Sequence, residues 1–152
     1  MRQEQIELYK DIAFEIAKEE NLIPKYNIDI IFRSPAQGYI RRGGTCQRNK
    51  LLRTAKLLIY TTEAQFFLNP TGKYKDKEGN KYVRGVGKNM SLRKIREILC
   101  HELAHVKHIN HGREHSAYTD YIVKKFDEKI VQYNPVEAAL IIQDNIKNQR
   151  DS

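Results

Sequence analysis

All five histidines of the chain fall between His101 and His115, in the run His-Glu-Leu-Ala-His-Val-Lys-His-Ile-Asn-His-Gly-Arg-Glu-His. Random scatter does not concentrate a residue type in this way, so the fold must bring these side chains to one place. On a helix, His101 and His105 differ by about 40° in direction and about 6 Å in height, which lets both imidazoles reach one cation. The segment is therefore expected to be helical. Glu102, next to the first of the pair, stands where a carboxylate can reach a water held by that cation.

A third ligand can be sought by the same geometry. His108 points the same way as His101 and His105, but on a straight helix it sits about 10 Å above His101, too far to share the ion. His111 comes within reach only if the helix breaks, and Asn110 and Gly112 supply the break. The spacing H-E-x-x-H-x5-H then gives three neutral nitrogen ligands and an open fourth position. His111 is the expected third ligand, with Glu114 and His108 as fallbacks. Leu92, Ile95, Leu99, Leu103 and Val106 cluster on another arc of the same helix, about 120 to 150° from the histidines, so one face packs while the other carries chemistry.

The helix so defined starts at Ser91, a good N-cap, and is expected to run to about Ile109. Upstream, Ile6, Tyr9, Ile12, Ala13, Ile16 and Ala17 recur at helical spacing within Gln3 to Glu20. Tyr26 to Arg33 and Lys56 to Thr61 read as strands. Pro70, Gly72, Gly79, Gly85 and Gly87 among many lysines predict a protruding hairpin over about 69–89, with its tip near Asp76 to Asn80. A further amphipathic segment follows from Gly112 to Tyr133, and Asn134, Pro135 and Glu137 predict the start of a last helix over about 135–148. This order predicts an α+β fold: one domain spanning 1–152, with a small, mostly antiparallel sheet packed against the helices.

Charge is distributed unevenly. The chain has 152 residues and a net charge of +8, yet Arg33 to Arg96 holds 16 Lys and Arg against 3 Asp and Glu, while the flanks are net acidic. A strongly basic middle is the electrostatic footprint of a protein that meets a polyanion. Arg41, Arg42, Lys73, Lys75, Lys81 and Arg84 are the candidate nucleic-acid-binding residues, and Tyr74 and Tyr82 among them suit stacking on a single strand. Two cysteines, Cys46 and Cys100, permit neither a disulfide framework nor a four-thiolate zinc site within one chain, and both are expected to be buried free thiols. Met1 to Lys10 carries charges where a secretory leader is apolar, and no apolar run approaches the length of a membrane span. A soluble, cytoplasmic protein with no membrane partner is expected.

His101 to Gly112, H-E-L-A-H-V-K-H-I-N-H-G, resembles the zinc-site motif of the SprT-like and YgjP-like metallopeptidases, small intracellular zincins with H-E-x-x-H and a downstream third His. The resemblance implies a zincin-like domain that binds zinc through His101, His105 and His111, with Glu102 as catalytic base, and that hydrolyses peptide bonds in a protein or peptide substrate. Better-studied SprT-like relatives cleave proteins crosslinked to DNA, which suits the basic middle segment. The family usually has Phe or Trp where this chain has His115, and the zinc ribbon of some SprT-like proteins is absent here. Metzincins are disfavoured, because position 108 is His rather than Gly and no Met follows the motif. A single-domain bacterial endoribonuclease family has the same His spacing without the Glu, so Glu102 decides between an endopeptidase and a metal-dependent endoribonuclease. A zinc- and nucleic-acid-binding module without turnover is the third reading. For the endopeptidase, Leu57 to Tyr60 is the candidate edge strand for an extended substrate. Tyr118, Tyr121, His108 and His115 are the candidates to stabilise an oxyanion, and the sequence does not choose among them.

Overall fold

The structure, a computed structural model, describes residues 2–35 and 43–133. Its elements run α1 (Arg2–Glu19), the single turn α2 (Leu22–Lys25), β1 (Asn27–Arg33), β2 (Gly44–Asn49), β3 (Thr54–Tyr60), β4 (Thr62–Leu68), β5 (Tyr74–Lys75), β6 (Lys81–Asn89), α3 (Leu92–His105) and α4 (Arg113–Tyr133). The described residues thus form an α+β fold of four helices and two small sheets. The expected last helix over about 135–148 lies outside them, as do Arg41 and Arg42. None of the described helices is long and apolar enough to cross a membrane.

The first sheet has the order β1-β3-β2, with β1 parallel and β2 antiparallel to the central β3. This corrects the assignment of Leu57 to Tyr60 as an edge strand. Leu57, Leu58, Ile59 and Tyr60 are all buried, and a continuous apolar run marks a strand covered on both faces. The edge role belongs to β2, whose sequence Gly-Thr-Cys-Gln-Arg-Asn is polar.

Helix α3 lies against β2 and β3 and meets α1 and α4 on its other side. Ile95, Leu99 and Leu103 are almost completely buried, as the apolar arc requires. Phe126 of α4 meets Tyr9 of α1 edge-on, with ring centroids 5.1 Å apart. Arg48 of β2 latches the sheet to the end of α3 by donating to the carbonyl of Val106 at 2.7 Å.

The second sheet, β4-β6-β5, is antiparallel throughout. The expected hairpin is part of it, but the sheet begins earlier, at Thr62, because Glu63 to Leu68 pairs with β6 despite carrying no clear alternation. The tip falls where the sequence places it: Asp76 Oδ1 accepts from the backbone N–H of Glu78 and Asn80 at 3.0 and 2.9 Å. Gly79 follows with φ +87°, a conformation that favours glycine. The sheet is rooted in the body at Thr61, whose N–H donates to Arg33 O at 2.8 Å and whose carbonyl accepts from Met90 N at 2.9 Å.

Acidic and basic side chains clamp α1 to α4. Lys129 donates to Glu15 and Glu19 at 3.2 and 2.7 Å. Lys125, Tyr121 and Tyr118 all donate to Glu20, at 3.0, 2.9 and 3.1 Å. Burial alone would raise the Glu20 carboxyl, but these donors outweigh it and hold Glu20 below its ordinary value. A carboxyl lowered in the folded state contributes stability that is present above about pH 4.5 and lost as the pH falls below it. Glu20→Gln is therefore expected to cost about 1 kcal/mol at pH 7 and to flatten the loss of stability between pH 5 and 3 in urea unfolding. Parallel pH profiles for the two proteins would remove Glu20 from the clamp.

Candidate metal centre

Ser91 caps α3, its Oγ accepting from Lys94 N at 3.1 Å. The helix does not run to Ile109 as expected; it ends at His105. The N–H groups of Lys107 and His108 both turn back to the carbonyl of Ala104, at 3.2 and 3.0 Å, closing the last turn. The chain then reverses through Asn110 and Gly112 into α4, so the break comes one turn sooner than the glycine suggests. His108 is consequently off the helix. It faces Glu114, at 3.7 Å, and the ring of Tyr118, with centroids 5.5 Å apart. The two fallback ligands therefore lie beside each other.

The reversal returns His111 to the helix. The Nε2 atoms of His101, His105 and His111 form a triangle with sides of 3.2, 3.0 and 3.2 Å. Bonds of about 2.0–2.1 Å in a tetrahedral site place ligand nitrogens about 3.3 Å apart, close to these sides. Hydrogen bonds alone satisfy such a triangle poorly, because each neutral ring offers Nε2 as either donor or acceptor and three mutual contacts need both. The tautomer of His105 is fixed from behind: its Nδ1–H donates to the carbonyl of His108 at 2.8 Å, which leaves the Nε2 lone pair pointing into the triangle.

His115 joins the same cluster from α4. Ligand atoms of His101, His105 and His115 lie within 4.8 Å of one another, so these three are close enough to bind a metal ion. Two triads thus share His101 and His105. The tighter one contains His111, whereas the Nε2 of His115 donates to the carbonyl of His101 at 3.1 Å and its ring stacks on His105 with centroids 3.9 Å apart. His115 is buried and His111 exposed, so His115 forms the back wall of the cluster and His111 its solvent side.

The rings are poised as neutral ligands. Burial, reinforced by the neighbouring His115, His105 and His111, pushes His101 down to about 4. Burial also lowers His105, against the opposing effect of its hydrogen bond to His108. Both are uncharged at neutral pH, the form that coordinates a cation.

A cleft of about 780 Å³ opens over the triangle, walled on one side by α3 and on the other by β2. Glu102 lies in its wall and is itself buried. The strand can come this close because Gly43 and Gly44 carry no side chains. A Cβ on Gly44 would lie 2.8 Å from the carbonyl of Leu58, 2.8 Å from Ile98 and 3.1 Å from Cγ of Glu102. Cys46, on the same strand, has its thiol raised to about 12 by burial and then by the charge of Glu102. It is protonated and no nucleophile. Cys100 is buried, as expected, and Cys46 only partly so.

The sequence reading did not identify β2 as a strand. The glycine pair directly before a strand was the available signal. None of the four candidate oxyanion residues lines the cleft, whereas Thr119 does. Tyr118 and Tyr121 are instead committed to Glu20. In the second sheet, Lys75 and Lys81 are cross-strand partners, while Arg84 is opposite Phe66 on the face that carries Tyr74 and Tyr82. Lys73 is exposed just before β5. Among the described candidates, Arg84 therefore lies on the opposite face of the sheet from Lys75 and Lys81.

Compared with protein-family models, curated proteins and solved structures, the chain matches none.

The two glycines make separable predictions. Gly44→Ala meets backbone and is expected to cost about 1–3 kcal/mol in urea unfolding and to speed the reaction of Cys46 with a thiol reagent as β2 lifts. Gly43→Ala meets only the Ile98 side chain and should change both less. Equal effects would mean that close approach at Gly44 does not set the cleft wall.

Proposed function

We propose that this chain is a zinc-dependent metalloendopeptidase of the SprT-like and YgjP-like kind, with a zincin-like domain in which His101, His105 and His111 hold the metal and Glu102 is the catalytic base. The observation that carries this reading is the Nε2 triangle with sides of 3.0 to 3.2 Å beside a buried carboxylate in an open cleft. The three imidazoles suit zinc by donor type, and they leave a position open toward the cleft. When bound, the cation supplies Lewis acidity, lowering the pKa of a water and polarising a carbonyl.

The remaining steps belong to the chain. Glu102 takes a proton from the attacking water and delivers it to the nitrogen of the scissile bond as that bond breaks, yielding a carboxylate and an amine. Among the described residues β2 pairs only with β3, so its outer edge offers N–H and C=O groups to an extended polypeptide lying in the cleft. Gly43 and Gly44 keep side chains from intervening. Glu102 also weighs against the endoribonuclease reading, because a carboxylate beside the reacting centre repels a phosphodiester and assists an amide. The resemblance extends the substrate class to DNA-associated or DNA-crosslinked proteins.

Two experiments test the reading. Titration of metal-free protein with zinc against a chelating dye is expected to show one ion per chain, with His111→Ala lowering affinity by more than about 100-fold. His115→Phe, which keeps an aromatic ring against His105, should lower it by about tenfold at most. The reverse order would make His115 the third ligand. With zinc-loaded protein, Glu102→Gln is expected to retain the metal and lose about 10²- to 10⁴-fold in the rate of casein cleavage. Unchanged cleavage by that variant, or degradation of single-stranded RNA in place of casein, would overturn the endopeptidase.

A further inference from the structure

The hairpin that joins β2 to β3 ends in Lys50-Leu51-Leu52-Arg53, and its two leucines lie outside the core. Leu51 is 92% exposed and Leu52 68%. Single apolar side chains on a surface are ordinary, but a neighbouring pair at the outermost point of a turn is a contact surface for an apolar medium. The turn is built to hold them there. Asn49 and Thr54 pair across its base, Asn49 Oδ1 accepts from the N–H of Leu52 at 3.0 Å, and the carbonyl of Arg53 accepts from the N–H of Asn27 at 2.8 Å. Arg53 has φ +54°. That left-handed conformation favours glycine or asparagine, so the chain keeps a cation here against its conformational preference.

Charge of one sign surrounds the pair. From Gly44 to Tyr60 the chain carries Arg48, Lys50, Arg53 and Lys56 and no acid. Lys50 and Arg53, the immediate neighbours of the leucines, are both exposed. Lys25, two residues before the Asn27 that bonds to Arg53, is exposed at this end of the sheet as well. Asp29 is the first acid along β1, and the register sets it beside Lys56.

We propose that the turn from Lys50 to Arg53 docks the protein on an anionic lipid bilayer, with Leu51 and Leu52 entering the interface while Lys50 and Arg53 meet the lipid phosphates and carboxylates. Leaving water favours the leucines in proportion to the apolar area they bury, and each cation beside an anionic leaflet adds to the attraction. The long Lys and Arg stems keep their charges in the headgroup layer as the leucines go deeper. A bilayer needs no matching shape. A protein partner does, and two leucines on a short turn offer far less than the roughly 1,200 Å² that a stable protein interface buries. Nucleic-acid bases stack on flat rings, which the turn lacks. Strand β2 runs from Gly44 in the cleft wall to this turn, so a docked turn holds that wall within about 20 Å of the lipid. The docking uses neither the histidines nor Glu102, so it stands or falls apart from the peptidase reading.

Co-sedimentation of the full-length protein with vesicles of mixed phosphatidylcholine and phosphatidylserine, and with vesicles of phosphatidylcholine alone, tests the docking. The expected result is binding at least tenfold tighter to the mixed vesicles, weakening as salt is raised. Leu51→Gln with Leu52→Gln should weaken it at least tenfold. Lys50→Gln with Arg53→Gln should weaken it several-fold and flatten its salt dependence. Leu68→Gln, at a side chain 71% exposed on the second sheet, controls for apolar surface in general and should bind as the parent does. All five side chains are exposed, so folding is not endangered. The chain has no tryptophan, so Leu51→Trp supplies a single reporter. Its emission should shift to the blue with the mixed vesicles and be quenched by brominated lipid, whereas that of Leu68→Trp should do neither. The proposal is overturned if the mixed vesicles do not bind, if phosphatidylcholine alone binds as tightly, or if the leucine pair binds as the parent does. It is also overturned if Leu68→Gln loses as much as the leucine pair, or if Leu51→Trp stays in water on the bound protein. Loss of self-association in place of vesicle binding in the leucine pair would make the turn an interface between copies of this chain and overturn it too.

Discussion

The arrangement of this protein depends on the early end of α3. Because the helix closes its last turn on Ala104 and the chain reverses at once, His111 comes back beside His101 and His105, and three ring nitrogens meet with spacings of 3.0 to 3.2 Å. A helix continuing to Ile109 would have carried His108 out of reach and left His111 further still. The reversal also releases the carbonyl of His108, which the Nδ1–H of His105 uses to fix its tautomer. The turn that brings in the third ring therefore also orients the second.

That small region is held by a large one. Helix α3 is enclosed by the first sheet and by α1 and α4, so its polar face is forced toward β2. Burial lowers the basicity of His101 and His105, keeping as neutral donors groups that would otherwise be partly charged near pH 6.5. His115 contributes from α4, stacking on His105 and bonding to the backbone of His101. Phe or Trp, usual in the family this motif resembles, would supply the stack but not the hydrogen bond. The buried cluster is thus tied to two helices, and the rigidity of their contact sets the precision of the triangle.

The helices and the histidine run were legible in the sequence because their signals are local. The 3.6-residue period, the Ser91 cap and the i, i+4 histidines each report on one turn of chain. His111 was reached by excluding His108 on geometry, which needs only the rise of a helix. What stayed hidden was non-local. The pairing order β1-β3-β2 puts β3 in the centre and β2 at an edge, and an apolar run such as Leu57 to Tyr60 says that a strand is covered without saying by what. The approach of Gly44 to Ile98 and Glu102 depends on a helix far along the chain. The basic residues at 73–84 were correctly placed on a hairpin, but their division between two faces required the register.

The same register gives the charge asymmetry a structural meaning. Three acids of the N-terminal flank hold the two flanks together, with Glu15 and Glu19 of α1 and Glu20 just after it facing Lys125 and Lys129 of α4. The middle of the chain supplies the central strand and one edge strand of the first sheet and all of the second, whose strands α1 and α4 do not pack against. Folding therefore separates two jobs that the sequence interleaves. One part of the basic segment, from Gly43 to Arg48, is drawn in against α3 to make the wall of a cleft. The other, from Thr62 to Asn89, is held away on its root at Thr61 and Met90. Opposite charges pair where they hold α1 to α4, and the cations of the second sheet lie outside that clamp.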